Sequence, residues 1–175
     1  DLASRSVIAR LLGHQSFVRV LAFSPDGQTL ASGSADRTAR LWHLNTGVRP
    51  SSGAATGIGQ WAQKLSRTRE DGELAAAEDG RTPTEWRGGL QFTNHSGEFT
   101  SLAFSPDGRI LAMSGEGGAG RVIRLVDVGT GNKQASLRGH LDDVSSLAFT
   151  PDGQTLLSAS GDGTVRVWDS VPRTK

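Results

Sequence analysis

Near one end the chain reads LLSASGDGTVRVWD, Leu156 to Asp169, and near the other it reads LASGSADRTARLWH, Leu30 to His43. The two stretches share alternating apolar positions, an Asp in a turn of small residues and a Trp six residues after that Asp. Either a catalytic signature is used twice or one structural unit has been copied. Working outward decides between these, because a repeat that is missed assigns the wrong fold to the whole chain.

Three copies of a longer unit stand out: GHQSFVRVLAFSPDGQTLASGSADRTARLW (13–42), NHSGEFTSLAFSPDGRILAMSGEGGAGRVIRLV (94–126) and GHLDDVSSLAFTPDGQTLLSASGDGTVRVW (139–168). Counted from His14, His95 and His140, a Phe stands at +9, an Asp at +12 and a Leu at +16 in every copy. His95 and His140 lie 45 positions apart, whereas His14 and His95 lie 81 apart, close to two periods. A fourth, degenerate unit over 48–89 is the expectation, with DGELAAAEDGRTPTEW (Asp71 to Trp86) laid on DGQTLASGSADRTARLW (Asp26 to Trp42). Against it stand Pro83, which would remove a ladder donor from the third strand, and the linker-like VRPSSGAATGIG, which reads equally as a loop-rich or disordered insertion.

Each clear copy converts into strands. VRVLAF and VSSLAF alternate enough for a half-buried strand. SPDG and TPDG then place Pro second and Gly fourth, the chemistry of a type I turn. QTLASGS and QTLLSAS follow, then a tight turn around ADRT or GDGT, then ARLW or VRVW, with TGNKQASL as a fourth strand. A sheet of four short antiparallel strands cannot bury both its faces alone, so the copies must stack face to face. No helix is needed anywhere.

With GH opening the unit (Gly13–His14, Gly139–His140), FSPDG or FTPDG at its centre, an Asp-bearing turn and a Trp168–Asp169 close, the chain resembles the WD-repeat β-propeller family; Trp42 is followed by His43 instead. The fold class expected is therefore all-β, a WD-type propeller of about four blades, each of four antiparallel strands, as a single domain over 1–175. Its blades would run 11–47, 48–89, 90–134 and 135–170, with 1–10 as a strand able to complete the last. Rings of this type usually have about seven blades, so a four-blade ring, two chains making eight, or a longer parent chain all stay open. The first residue is Asp, which fits a processed chain or a piece of something longer.

The resemblance also implies a hydrogen-bonded structural tetrad of His, Ser, Asp and Trp. The matching residues are His14, Ser32, Asp36 and Trp42 in one blade and His140, Ser158, Asp162 and Trp168 in another, at identical offsets. The central copy has Met113 and Val126 at the Ser and Trp positions and a GEGGAGR loop, so packing through Leu102, Phe104, Leu111, Ile123 and Leu125 should hold it, with 115–121 mobile. Ser, His and Asp together also invite a hydrolase reading, but no G-x-S-x-G elbow exists and the set recurs blade by blade.

Other signatures fail on context. Gly115-x-Gly117-x-x-Gly120 fits a dinucleotide fingerprint but precedes the strand-like RVIRLVD rather than a helix. Asp142 and Asp143 are adjacent and would point apart, while His14, His95 and His140 sit in different blades, which argues against a metal triad. The cluster KLSRTR (Lys64 to Arg69) reads as solvated, and Arg40, Arg124 and Arg166 recur at one strand position as packing residues.

Composition excludes further classes. A net charge of +1 carries no pull toward nucleic acid, and the absence of Cys removes thiolate chemistry and disulfides. No apolar run approaches the roughly 18 residues of a membrane span, and no secretory signal is legible at the start. What the family resemblance implies is a non-catalytic protein-interaction scaffold, expected in the cytoplasm without cofactor or metal, as a module of a larger multidomain regulatory protein or a homo-oligomer. A glycosidase-like propeller hydrolase is the alternative, and it would need converging carboxylates at a central channel. On the same resemblance, partners would meet the rim at Gln15, Ser16, Phe17, Ala35 and Arg37 and at Leu141, Asp142, Asp143 and Gly161. Phe17 is either the anchor there or a residue packed on its neighbour.

Overall fold

A computed structural model describes residues 7, 9–45, 85–93, 97–117 and 121–169. These residues are all-β and contain no helix. Eleven strands occur in order: β1 Val18–Phe23, β2 Thr29–Ser34, β3 Thr38–Asn45, β4 Glu85–Thr93, β5 Phe99–Phe104, β6 Ile110–Gly115, β7 Val122–Asp127, β8 Lys133–Arg138, β9 Val144–Phe149, β10 Thr155–Ser160 and β11 Val165–Asp169. They form three antiparallel sheets, β1-β2-β3-β4, β5-β6-β7-β8 and β9-β10-β11, each a meander.

The SPDG and TPDG turns set the first register of every sheet. In the first, the Gly27 N–H donates to the Ser24 carbonyl at 2.8 Å, and the Ser24 hydroxyl donates to Asp26 Oδ1 at 2.6 Å. Asp26 Oδ1 also accepts the Gln28 N–H at 2.9 Å, so one carboxylate holds both sides of the turn. Gly27, Gly108 and Gly153 take φ near +70°, at 68°, 70° and 70°, a conformation that costs an L side chain strain and a glycine none. The hairpin then pairs Phe23 with Leu30, Phe104 with Leu111 and Phe149 with Leu156, which fixes which residues share a face.

Stacking follows from those faces. Val20, Ala22, Ala31, Ala39 and Leu41 of the first sheet meet Phe99, Leu102, Phe104, Leu111, Met113 and Val126 of the second. The opposite face of the second sheet, with Ala103, Ala112, Ile123 and Leu125, meets Val144, Leu147, Phe149, Leu156 and Trp168 of the third. Leu41, Leu111, Ile123 and Val144 are no more than 1 % exposed. Full burial of such a side chain stabilises by about 1.5–3 kcal/mol, so two interdigitated faces supply what one thin sheet lacks.

The repeat boundaries differ from those read off the sequence. Residues 85–89, assigned there to the separate unit 48–89, lie in β4 and complete the first sheet beside β3. The boundary between 134 and 135 falls inside β8, because in the first two sheets the strand after the Trp position belongs to the sheet it follows. Residues 46–84, and with them most of the degenerate unit and Lys64 to Arg69, lie outside the described residues. Val7 and Ala9–Leu12 are in no strand, and among the described residues the third sheet has three strands.

Candidate functional site

The loops that precede β1 and β9 are fixed by one polar chain in each of two sheets. In the third sheet Trp168 Nε1–H donates to Ser158 Oγ at 2.8 Å, and Ser158 Oγ lies 2.7 Å from His140 Nε2. Because the indole can only donate, the Ser hydroxyl proton goes to Nε2, which leaves the proton on Nδ1 for the Asp162 carboxylate at 2.8 Å. The first sheet repeats this arrangement. Trp42 to Ser32 is 2.8 Å, Ser32 to His14 is 2.7 Å and His14 to Asp36 is 2.9 Å. The imidazole stands edge-on to the indole in both, with centroids 6.3 Å and 6.2 Å apart and the planes at 66°.

Thr38 and Thr164, two residues after each Asp, were not singled out in the sequence, although ADRT and GDGT display them. Thr38 donates both its hydroxyl, at 2.6 Å, and its N–H, at 2.8 Å, to Asp36 Oδ1, and Thr164 does the same to Asp162 at 2.6 Å and 2.9 Å. The other carboxylate oxygen accepts the N–H of Gln15 at 2.8 Å or Leu141 at 2.9 Å, which pins the His loop to the Asp turn. For Asp36, burial works to raise the pKa, but the Thr38 hydroxyl, the Gln15 N–H and His14 together hold it well below the ordinary range. The Thr164 hydroxyl and the Leu141 N–H do the same for Asp162.

In the first and third sheets the recurring Arg packs closely against the glycine before His. Gly13 and Gly139 take φ of 149° and 153°, and a Cβ there would come within 2.6 Å of Arg40 Nη1 or 2.7 Å of Arg166 Nη1. The central copy differs: Arg124 Nη1 instead donates to the Thr93 carbonyl at 3.1 Å. Met113 pairs with Arg124 in the register where Ser32 pairs with Arg40, and Val126 pairs with Leu111 where Trp42 pairs with Leu30. These two smaller or apolar replacements leave an open cavity of about 590 Å³, lined also by Phe92, Arg124 and Lys133. Leu102, Phe104, Leu111 and Ile123 are buried and Leu125 is half-buried. His95 and residues 118–120 of the Gly-rich loop lie outside the described residues.

The residues expected to meet a partner divide by exposure. Phe17 is 81 % and Leu141 73 % exposed, so Phe17 is not packed on a neighbour. Gln15, Ser16, Arg37, Asp142 and Gly161 are exposed, and Ala35 and Asp143 half-buried. The Phe17 carbonyl accepts the Ala35 N–H at 2.9 Å and the Asp143 carbonyl accepts the Gly161 N–H at 3.0 Å, which ties each His loop to its Asp turn a second time. Of the fingerprint glycines, Gly115 and Gly117 are described, and the next described element after them is the strand β7, not a helix. Among the described residues no group of three His, Asp or Glu side chains is placed to hold a metal, and no helix is long and apolar enough to cross a membrane.

Known proteins share these features. The pattern described as WD domain, G-beta repeat matches residues 5–43, 89–127 and 131–169, more than half of the chain. The chain is 31 % identical over 162 residues to the human F-box-like/WD repeat-containing protein TBL1Y, covering 91 % of this chain and 25 % of that protein. It is 28 % identical over 165 residues to apoptotic protease-activating factor 1 of Danio rerio, covering 91 % of this chain and 12 % of that one. It is also 28 % identical over 182 residues to the U3 small nucleolar RNA-associated protein 15 homolog of Xenopus tropicalis, covering 98 % and 33 %. The chain thus spans a third or less of the length of these curated relatives. Three matches in register, on three stacked antiparallel sheets that begin with the same turn, place this chain in the WD-repeat family.

Proposed function

We propose that the chain is a non-catalytic protein-interaction scaffold that presents two rigid rim loops, one before β1 and one before β9, to a protein partner. The observation that carries the reading is Phe17, an aromatic side chain 81 % exposed on a loop whose backbone is held at Gln15 and Phe17. Exposed apolar anchors on preorganised loops lose little entropy on binding, and residues of this kind dominate interface energetics. Leu141 offers a second apolar contact beside the acidic Asp142 and Asp143, so a partner with an apolar and a basic element fits that loop.

The His–Ser–Asp sets act as structural locks in this reading. Ser32 and Ser158 are 3 % and 1 % exposed, and each hydroxyl oxygen already accepts an indole N–H, so no substrate carbonyl has room to approach. The scaffold works in the cytoplasm, without cofactor or nucleic acid, as a module of a larger multidomain regulatory protein. A photo-crosslinking residue at position 17, introduced in the native source, tests it with mass-spectrometric identification of what is captured. One specific protein that is lost on Phe17→Ala, with folding intact, is the expected result. Unchanged capture by Phe17→Ala removes the anchor, and measurable turnover abolished by Ser158→Ala would replace a scaffold with an enzyme.

A further inference from the structure

Of the three described sheets only the second lacks an aromatic ring at the Trp position. In the first sheet Trp42 is 5 % exposed and donates its Nε1–H to Ser32. In the second, Val126 and Met113 hold those two positions, and both line the cavity of about 590 Å³. Its walls are Phe92 of β4 on one side and residues of β7 and β8 on the other, so they come from two sheets that already stack on each other.

The repeat shows what suits this space. Seven residues before the following His, the first sheet has Gly88, where a Cβ would lie 3.9 Å from Trp42 Cζ3. The second sheet has Lys133 at that position. An indole stands against glycine in one sheet, and in the next the ring is gone and a cation replaces the glycine. An apolar floor beside a few fixed polar groups is the makeup of a ligand site.

Charge narrows the class of ligand. Arg124, Lys133 and Arg138 line the cavity, and among the described residues no carboxylate does. Arg124 donates to the Thr93 carbonyl, while Lys133 and Arg138 enter no ion pair among the described residues. The net charge of the whole chain is only +1, so this excess is local and favours an anion here.

Spacing narrows it further. Across β7 and β8, Lys133 pairs with Val126, Ser136 with Arg124 and Arg138 with Val122, so the three cations leave the sheet at successive levels. Lys133 and Arg138 are five residues apart in β8, about 16 Å along a strand. A compact anion matches one such level, whereas an extended segment of about five residues runs the same length. Among the described residues β8 is the last strand of its sheet, which gives such a segment an edge to lie beside.

We propose that this cavity receives an acidic, extended segment of a partner protein, which sets one aromatic ring on Met113 and Val126 and its carboxylates beside Lys133, Arg124 and Arg138. The partner thus supplies the ring that the first and third sheets supply from their own strands. Met113 is only a weak acceptor, so a phenyl ring matches the floor better than an indole with its N–H. The site shares no described lining residue with the loops that carry Phe17 and Leu141, and it stands independently of the function proposed for them.

Fluorescence anisotropy on the 175-residue chain tests this with a labelled seven-residue peptide, Phe at its centre and Glu at the other positions. Saturable binding is expected, weakening as salt is raised from about 0.05 M to about 0.5 M. Exchanging the peptide's Phe for Ala, or its Glu for Gln, should each weaken binding by at least about tenfold. Lys133→Glu combined with Arg138→Glu should do the same with an unchanged circular dichroism spectrum, since both side chains are exposed. Val126→Trp fills the space with a ring from the chain itself and should abolish binding. Met113→Ser combined with Val126→Trp gives that indole an acceptor, so a filled cavity is tested even where the single substitution destabilises the sheet. A peptide that does not saturate the chain by about 1 mM overturns the proposal. So do equal affinities for the Phe and Ala peptides, binding that survives Val126→Trp in a folded chain, or a compact anion such as ATP binding there in place of the peptide.

Discussion

The second and third sheets solve the same problem with different chemistry. In the third, His140, Ser158, Asp162 and Trp168 form a closed polar chain. In the second, Met113 and Val126 occupy two of those positions and are 2 % and 4 % exposed, with Leu111 and Ile123 completely buried. Both stack on their neighbours. Apolar coverage of the faces is thus what the fold requires, and the polar chain is the way a sheet that buries an indole N–H satisfies it. The largest effect should come from breaking what both sheets share. Leu111→Ala removes a side chain at the centre of the first apolar core and is expected to cost about 2–5 kcal/mol, measured by urea denaturation.

The next effect separates the two chemistries. Ser158→Ala takes away the acceptor for Trp168 Nε1–H and the donor to His140 Nε2, and leaving such groups unpaired costs about 1–3 kcal/mol. The reciprocal change, Met113→Ser, should also destabilise. It places a hydroxyl where Val126 offers no N–H and enlarges the adjoining cavity, so an apparent restoration of the motif worsens the sheet. Equal urea midpoints for Met113→Ser and the parent chain would show that the second sheet still holds a polar partner at that position.

Acid sharpens the contrast in a third way. Asp36 and Asp162 both titrate below their ordinary value of 3.8 in the folded chain, so the unfolded chain takes up protons first as the pH falls. The stability they confer is complete above that value and drains away below it. Asp26, Asp107 and Asp152, lowered by the Ser24, Ser105 and Thr150 hydroxyls of their turns, add a background of the same sign. Asp162→Asn should therefore lie below the parent chain in thermal stability at neutral pH, and the gap should narrow as the pH is taken from about 7 to about 2.5. A gap that stays constant would mean that the carboxylate charge contributes nothing to the lock.

Much of this was legible in the sequence because the constraints are local and repeat. The SPDG turn, the alternating strands and the fixed offsets of His, Ser, Asp and Trp each follow from a few neighbouring residues, and three copies in register made the stacked sheets readable. The limits of each sheet were harder. The fourth strand of the first sheet, β4, is separated from β3 by residues 46–84, and no local signal in EWRGGLQFT says which sheet it joins. Laying Trp86 on Trp42 by residue type drew that segment into a separate unit, while hydrogen bonding places it beside β3. Thr38 and Thr164 went unnoticed because the eye follows the His, Asp and Trp, although a Thr two residues after an Asp in a tight turn is positioned to bond its carboxylate.

The smallest effect is expected at the one described position outside glycine where the backbone turns left-handed. Arg37 has φ of 67°, and in the third sheet the same turn position is Gly163, with φ of 78°. An L side chain held there costs about 1–2 kcal/mol, while glycine loses about 0.5–1 kcal/mol through the freedom of the unfolded chain. Arg37→Gly should accordingly stabilise by roughly 0.5 kcal/mol, the difference between those two contributions. Gly163→Arg should cost a similar amount, and there the comparison is clean, since a Cβ at Gly163 meets nothing within 4 Å and only the backbone conformation is changed. Urea midpoints for the two single variants and the double swap read the sign directly. If both substitutions move the midpoint the same way, the strain at Arg37 is offset by contacts of its side chain, and the two turns are equivalent in shape but not in energy.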